Sequence, residues 1–472
     1  MRRASSRSIS PAGKVPWTDE PEWQMPLAER AMRGGARAFA EVFVRGRCLE
    51  IVTQFILRLS GRWRSKNGGS AHPPARPHIV VGVTRPETCL VLRGRLRALR
   101  EGGFRVTVVA SAGRLLERTA QREGVEFRTV PMERGIAPLK DMVSLLRLCL
   151  LLWRLRPDVT EFSTPKAGLL GTLAARLTGV PVRVYMLRGL RLEASRGLQR
   201  RVLLLAERLA AACAQSVLCN SPSLLRQALA LGVAPAGKLH LLGAGSSNGV
   251  DTERFSPGPS PVRHLLGLRE DVPVVGFAGR LTYAKGVPDL IEAFERILEA
   301  APGAHLLLAG WFDAAEDALS RAWKRRIEDH PRIHITGLIY DTAPYYRAMD
   351  LLVLPTWREG FPNVVLEAAA TGVPAITTQA TGAVDSVLPE VTGLLIPPGY
   401  PSAICTAVLE LLADPARRRR MGMAARRRVC ERFSTQYVLG LTVEWYRSMA
   451  WESRRGLRTI PAAGGKSALN PV

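Results

Sequence analysis

Twice along this chain, short runs of β-branched and aliphatic residues alternate with stretches of helical periodicity, and that rhythm leaves few folds open. The first series starts at His78 with HIVVGVT and runs through FRVTVVAS, EFRTVPM, a helical stretch from Pro138 to Leu155, PDVTEFS, VRVYMLR (182–188), a helix from Leu198 to Ala214, SVLCNS (216–221) and KLHLLGA (238–244). Strands spaced by helices in this way pair in parallel, as βαβ units. After Asn248-Gly249-Val250-Asp251 the turn-rich FSPGPSP interrupts the pattern. A second series comes next: PVVGFAG (273–279), a helix from Gly286, AHLLLAG, RIHITG, DLLVLPT, PAITT and TGLLIP, then helices from Pro401 to Cys430 and from Thr435 to Ala450. The expected fold class is α/β, with two Rossmann-like doubly wound domains, 77–250 and 251–432, facing a central cleft where ligands of such sheets bind. Residues 433–451 are expected to form a helix returning to the first domain, and 452–472 a tail. The 472-residue length suits two or three domains and excludes a single small module.

Residues 1–76 read as a poorly ordered basic extension. Within it, Leu27 to Trp63 contains AFAEVFVRGRCLEIVTQFILRL, whose helical spacing with interleaved Arg suits an anionic membrane surface. The competing reading makes Met25 or Met32 the start. The chain carries 66 Lys and Arg against 41 Asp and Glu, a formal charge of +25, which fits nucleic acid, an anionic membrane, a phosphate-bearing substrate or solvated Arg faces. Its seven cysteines are odd in number and form no C-x-x-C, so neither a disulfide framework nor a zinc site is expected. No apolar run approaches the ~20 residues of a membrane span, and MRRASSRSIS leads into no apolar signal core. The expected location is cytoplasmic.

Three segments lie at strand ends and carry candidate chemistry. Gly243-Ala-Gly245-Ser-Ser-Asn-Gly249 misses the dinucleotide fingerprint, because its third glycine is one residue late and VDTERFSPGP is not a helix. It reads as an interdomain hinge. Gly279-Arg280-Leu-Thr-Tyr-Ala-Lys285-Gly286 ends the first strand of the second domain before the helix VPDLIEAFERIL. An Arg fork, a Lys point charge and a helix N-terminus suit a diphosphate. Glu359-Gly360-Phe361-Pro362-Asn363-Val364-Val-Leu-Glu367 comes after DLLVLPT. Gly360 permits a sharp loop, Pro362 favours a helix start, and the free N–H groups of Phe361 to Val364 can face anionic oxygens. Glu359 and Glu367 can then grip different hydroxyls of one elongated ligand, and a paired acid/base role is open to them.

Together G-R-L-x-x-x-K-G, EGFPNVVLE, SNGVDTERF and the helix after ERFS resemble family-four glycosyltransferases of the GT-B fold, over roughly residues 78–450. The resemblance implies that Arg280 and Lys285 hold the donor diphosphate, which with Glu359 makes them the catalytic candidates. It implies donor contacts from Glu359 to sugar hydroxyls, from Glu367 to the ribose, and from Gly279 and the Gly360, Phe361, Pro362, Asn363 and Val364 backbone to sugar and phosphate. It also implies retention of anomeric configuration, with the leaving phosphate accepting the acceptor's proton. No D-x-D occurs in the sequence, in agreement with a transferase that needs neither metal nor resident cofactor.

TPKAGLLGTLAARLTGVPVRVYMLRGLRLE resembles the capsular and exopolysaccharide branch, whose members extend sugars on polyprenyl diphosphate carriers. Arg85, Lys166, Arg188 and Arg191 fall at sheet tips where they can meet such a carrier; ordinary surface charge is the alternative. Two departures stand out. Arg85-Pro-Glu-Thr-Cys89 replaces a glycine pair, and Thr160-Glu161-Phe162-Ser163-Thr164 lacks a histidine common in the family. His330 and His334 flank a proline rather than a continuous helix, which argues against a metal pair. The run ARRRRMGMAARRRVCERF has no base-stacking platform, so no nucleic acid partner is expected. The expected activity is transfer of a hexose or N-acetylhexosamine from a nucleoside diphosphate sugar, with UDP as the expected nucleotide, to a polyprenyl-diphosphate saccharide by a peripherally membrane-associated enzyme. A sugar-nucleotide 2-epimerase and a non-enzymatic scaffold are the alternatives.

Overall fold

The structure, a computed structural model, describes residues 76–133, 135, 137–313 and 317–455. The amphipathic segment between Leu27 and Trp63 and the residues after 455 lie outside that range. In the first domain β1 (His78–Gly82), β2 (Arg105–Ala110), β3 (Glu126–Thr129), β4 (Val159–Ser163), β5 (Val182–Leu187), β6 (Ser216–Cys219) and β7 (Leu239–Leu241) form one parallel sheet. Its order is β3-β2-β1-β4-β5-β6-β7. Every residue of β1, β4 and β6 is buried, as expected for central parallel strands covered on both faces. The crossovers are α1 (Arg95–Glu101), α2 (Arg114–Glu123), α3 (Pro138–Leu155), α4 (Pro165–Leu177), α5 (Gly197–Cys213) and α6 (Pro222–Ala230). Proline opens α3, α4 and α6, where a missing N–H costs nothing.

The second sheet contains β8 (Val274–Ala278), β9 (His305–Ala309), β10 (Ile333–Ile335), β11 (Leu351–Leu354), β12 (Ala375–Thr378) and β13 (Gly393–Ile396), in the order β10-β9-β8-β11-β12-β13. Around it lie α7 (Pro261–Leu265), α8 (Val287–Ala300), α9 (Arg321–Glu328), α10 (Ala343–Ala348), α11 (Asn363–Ala370), α12 (Pro401–Ala413) and α13 (Pro415–Arg432). The chain reverses its direction across the sheet between β1 and β4 in the first domain and between β8 and β11 in the second. At those reversals crossovers diverge to opposite faces and leave a crevice beyond the strands' carboxyl ends. This is the two-domain α/β architecture expected of a GT-B protein.

The last helix, α14 (Thr435–Arg454), begins on the second domain and ends on the first. Val250 donates its N–H to the Phe433 carbonyl and Thr435 donates to the Val250 carbonyl, both at 2.8 Å, which pins the linker to the α13–α14 junction. Gly249 has φ +67°, and a Cβ there would lie 2.6 Å from the Phe433 carbonyl oxygen, so only glycine fits this crossing. Beyond it Trp445, Tyr446, Met449 and Ala450 of α14 enter the core formed by Ile79, Leu96 and Val108. The helix runs past Ala450 to Arg454, whose guanidinium meets Asp158 at 3.1 Å. Residues 452–454 are therefore helix rather than the start of the tail. The stretch from Pro401 to Cys430 is interrupted at Asp414-Pro415, where the Asp414 carboxylate caps α13 by accepting from the Arg417 N–H at 2.8 Å.

Under α14 a buried charge cluster joins four parts of the chain. Glu161 of β4 accepts from Arg95 Nε and Nη2 at 3.2 and 2.7 Å and from the Tyr446 hydroxyl at 2.6 Å, all at Oε2. Arg95 Nη1 donates to the Ser247 carbonyl in the linker at 2.9 Å. Burial pushes the Glu161 carboxyl upward, and the Arg95 and Arg188 guanidiniums pull it further down, to a net value below the ordinary carboxylate range. Its negative charge persists because two cations surround it. Removing one member of such a cluster strands the others. Glu161→Gln is expected to destabilise the protein by about 3–5 kcal/mol and Tyr446→Phe by roughly 1–3 kcal/mol. Urea unfolding of the three proteins side by side checks both values, and equal stability of the Glu161 variant and the parent would show that the cluster is dispensable.

Candidate active site

The two motif loops of the second domain come directly after β8 and β11, the strands on either side of the reversal. The loop after β8 starts at Gly279 with φ +135°. A Cβ on Gly310 would lie 1.8 Å from the Gly279 carbonyl, so this loop and the one after β9 touch backbone to backbone. There Arg280 pairs with Asp313. The chain then makes a short 3-10 turn over Tyr283–Lys285 and enters α8 through Gly286, at φ +67°. A Cβ at Gly286 would come within 2.0 Å of the Pro355 carbonyl. Glycine thus brings the start of α8 against the loop after β11, where the Trp357 N–H and Thr356 Oγ1 donate to the Ala284 carbonyl at 3.0 and 3.1 Å. The consequence is a direct ion pair between Lys285 Nζ and Glu359 Oε1, both mostly shielded from solvent.

Gly360 sits between the domains. A Cβ there would lie 1.9 Å from the Arg188 carbonyl of the first domain. One at Gly382 would lie 2.4 Å from the Gly360 carbonyl, and the Glu359 N–H donates to the Thr381 carbonyl at 2.9 Å. Phe361 is buried against Phe433 with ring centroids 5.4 Å apart. Pro362 caps α11 and Asn363 opens it, with Val364 next. Asn363 Oδ1 accepts from Ser246 Oγ of the linker at 3.4 Å. The helix N-terminus therefore lies at the carboxyl edge of the sheet, beside the linker, where its partial positive charge can act on an anion.

Glu367 occupies the second turn of α11 and accepts from the Tyr346 hydroxyl of α10 at 2.8 Å. Burial raises its carboxyl to about 7, against the opposing pull of the Tyr346 hydrogen bond and the Arg254 and Arg93 guanidiniums. The two glutamates of the motif thus differ in kind. Glu359 is balanced by a lysine; Glu367 has a neighbouring hydroxyl and distant cations.

The four first-domain cations separate. Arg85 is exposed and paired with Glu87 at 2.9 Å. Lys166, at the start of α4, is mostly covered and held by Asp141 at 2.6 Å. Arg191 opens the short 3-10 turn Arg191–Ala194. Arg188, 15% exposed, has Nη2 3.9 Å from Glu161 Oε1, and its Nε and Nη2 make no hydrogen bond. Burial lowers its pKa to about 10, opposed by Glu161. Arg85, Lys166 and Arg188 thus each face a carboxylate, and Arg188 alone among these three also adjoins Gly360. His334 pairs with His305, nitrogen to nitrogen at 2.8 Å, while His330 packs on Phe294, so the two histidines read together in sequence face different partners.

Sequence reading missed the residues that join the domains. Ser223 donates through its N–H to Asp385 Oδ2 at 2.9 Å, and its hydroxyl accepts from the Gly382 N–H at 2.7 Å. Thr381 Oγ1 donates to Glu193 Oε1 at 2.7 Å, and Asn220 Nδ2 donates to Ser247 Oγ at 3.3 Å. These are single polar residues paired across long stretches of chain, with no local pattern to mark them.

Comparison with known proteins agrees with this architecture. Residues 90–245 match the glycosyl transferase 4-like domain and residues 272–414 match the glycosyl transferases group 1 domain. The capsular polysaccharide biosynthesis glycosyltransferase CapM of Staphylococcus aureus is 34% identical over 372 residues, 79% of this chain and 97% of that protein. The UDP-Gal:alpha-D-GlcNAc-diphosphoundecaprenol alpha-1,3-galactosyltransferase of Escherichia coli is 30% identical over 273 residues, 56% of this chain and 68% of that protein. Among solved structures, Anabaena HepE in complex with UDP-glucose superposes with a TM-score of 0.67 at 21% identity, covering 79% of this chain and 99% of that one, which supports the fold. The chain belongs to glycosyltransferase family four.

The environment of Glu367 makes a prediction about the free protein. A carboxyl raised to about 7 on folding stabilises the fold below its unfolded pKa, and that contribution is lost as pH rises through about 7. Glu367→Gln, which carries no charge to bury, is expected to raise the melting temperature by about 2–4 °C above neutral pH and to have little effect near pH ~5. Melting curves of parent and variant across that range test it; an equal offset at both ends would mean that ionisation of Glu367 plays no part.

Proposed function

We propose that the chain transfers a hexose or N-acetylhexosamine from a nucleoside diphosphate sugar, with UDP as the favoured nucleotide, to a saccharide on a polyprenyl diphosphate. The proposed pathway is the synthesis of capsular or other exported polysaccharide. The observation that carries this reading is the meeting of Lys285 with Glu359 at the β8/β11 reversal, with Arg280 on the same loop as Lys285 and the α11 N-terminus just after Glu359. The relatives add chemical context: one is named for capsular polysaccharide biosynthesis and another for a diphosphoundecaprenol acceptor.

In the proposed reaction Arg280 and Lys285 exchange part of their pairing with Asp313 and Glu359 for the donor's diphosphate oxygens. Glu359, thereby released, accepts from donor-sugar hydroxyls, and Glu367 from the ribose. The acceptor hydroxyl oxygen bonds to the anomeric carbon on the face from which the diphosphate departs. The bond from that carbon to the phosphate oxygen breaks with its electron pair going to the phosphate, and the same phosphate takes the acceptor's proton. Configuration is retained and no side chain need act as base. Two fixed cations beside the leaving group supply the charge stabilisation that lowers the barrier, and the proposed enzyme requires no metal. It would work at the cytoplasmic face of a membrane, where its carrier lies.

Arg280→Ala and Lys285→Ala are each expected to reduce transfer by about 100-fold or more while the protein remains folded. Radiolabel transfer from a panel of sugar nucleotides to a polyprenyl-diphosphate sugar, with the product's anomeric configuration read by NMR, tests activity and stereochemistry together. Full activity in either variant would remove these residues from the mechanism. Conversion of the sugar nucleotide with no acceptor added would instead favour the 2-epimerase reading. Because an ionised carboxylate accepts hydroxyl protons better than a neutral one, donor affinity is also expected to rise between roughly pH 6 and roughly pH 8. Calorimetric titration should show that rise flattened in Glu367→Gln.

A further inference from the structure

The first domain exposes two apolar stripes that its own fold does not use. On α3 the exposed side chains include Leu139, Met142, Val143, Leu146 and Leu150, while Ser144, Leu148 and Leu152 face inward. On α5 Leu198, Val202, Leu205 and Leu209 are exposed and Glu207, Ala210 and Ala211 face inward. Both sets recur at the helical repeat, so each is a continuous ridge opposite its helix's buried face. Single exposed leucines are ordinary, but Leu139 at 86%, Leu198 at 63% and Leu205 at 67% exposure stand in rows. The helix α4 packs against both α3 and α5, and the three crossovers β3 to β4, β4 to β5 and β5 to β6 run the same way across the sheet. Right-handed connections then place all three helices on one face. Their first turns, with Leu139 and Leu198, lie at the carboxyl edge of the strands, the edge that opens towards the active site.

Charge selects the occupant. The three helices carry eight Lys and Arg against two acidic residues. Asp141 is paired with Lys166, and Glu207 is buried beneath α5, where the Tyr185 hydroxyl donates to it at 2.6 Å. The helices therefore carry no exposed carboxylate of their own, and the exposed Glu133 just before α3 offsets one of the cations, Lys140, at 2.5 Å. By helical position Arg147 and Arg154 border the α3 ridge, and Arg201 and Arg208 border that of α5. Leucine ridges with arginine margins match a bilayer surface, whose acyl boundary takes the leucines and whose anionic headgroups take the guanidiniums. We infer that α3 and α5 together form the face by which the first domain docks on an anionic membrane, with the mouth of the active site turned to the carrier lipid. The inference deepens the proposed use of a lipid-linked acceptor and rests on that reading.

The test uses the full chain and sedimentation with vesicles of phosphatidylcholine alone or mixed with phosphatidylglycerol. The variant Leu139→Gln/Leu146→Gln/Leu198→Gln/Leu205→Gln is expected to partition at least about tenfold more weakly onto the mixed vesicles. Leu265→Gln, 76% exposed in α7 of the second domain, should partition like the parent. Arg147→Gln/Arg154→Gln/Arg201→Gln should erode the preference for mixed over neutral vesicles. Parent-like partition of the four-leucine variant would overturn the proposal and leave another segment, such as residues 27–63, as the contact. A parent that sediments as a dimer and a variant that is monomeric yet still partitions would assign the ridges to a second copy and overturn it as well. Transfer to a short, water-soluble acceptor is measured in parallel. Loss of partition with that transfer intact supports the docking face, whereas absence of transfer in parent and variant alike, with partition lost only in the variant, rejects the transferase reading and leaves the docking face standing.

Discussion

A negative charge sealed from water holds the two domains of this chain in one arrangement. Glu161 sits on a central strand, and the groups that satisfy it come from α1 and from the helix that returns from the second domain, while Arg95 reaches the linker carbonyl at Ser247 in the same cluster. Ion pairs of this depth give little net stability, since desolvation offsets most of the attraction. Their value is directional: a carboxylate with few tolerable partners fixes where those partners must stand. The carboxylate also has a second oxygen, which is 3.9 Å from Arg188, so the cluster that orients the linker extends to the tip of the first sheet beside Gly360.

The chemistry of the cleft depends on that placement. Glycines at 286, 310, 360 and 382 stand where a Cβ would meet a carbonyl oxygen, and each lets two loops approach to backbone distance. The approach brings Lys285 to Glu359 and encloses the second motif between the first-domain tip and the Thr381–Gly382 turn. Within that enclosure the two glutamates have different surroundings: Glu359 is paired with a lysine, and the Glu367 carboxyl is pushed upward by burial beside a tyrosine. In the proposed reaction an anionic donor would meet cations already oriented and paired, so that binding would exchange one set of ion pairs for another rather than order free side chains.

Much of this was legible beforehand, for a physical reason. Strand runs such as HIVVG and helices such as Pro138–Leu155 are set by local periodicity, and local signals survive in a linear string. The loops GRLTYAKG and EGFPNVVLE were readable because glycine, proline and charge fall at fixed short spacings. Other expectations needed adjustment. The final helix extends to Arg454 because Asp158, remote in sequence, offers its last turn a carboxylate. Sequence spacing marked no partner for His334, which meets His305 because β9 and β10 lie side by side in the sheet. The cations Arg85, Lys166 and Arg188, alike in sequence as basic residues near strand ends, have three different environments.

The amino-acid string by itself determined the class of fold, the division into two domains and the identity of the motif residues, because each depends on residues close together in the chain. Tertiary structure alone decided which of those residues meet. The Lys285–Glu359 pair, the neutral-range carboxyl of Glu367, the four-way cluster at Glu161 and the outward leucine ridges of α3 and α5 all depend on which surfaces are covered and on which distant segment covers them. Periodicity shows that a helix has an apolar face; only the packed molecule shows that α3 and α5 bury one side and still present leucines on the other.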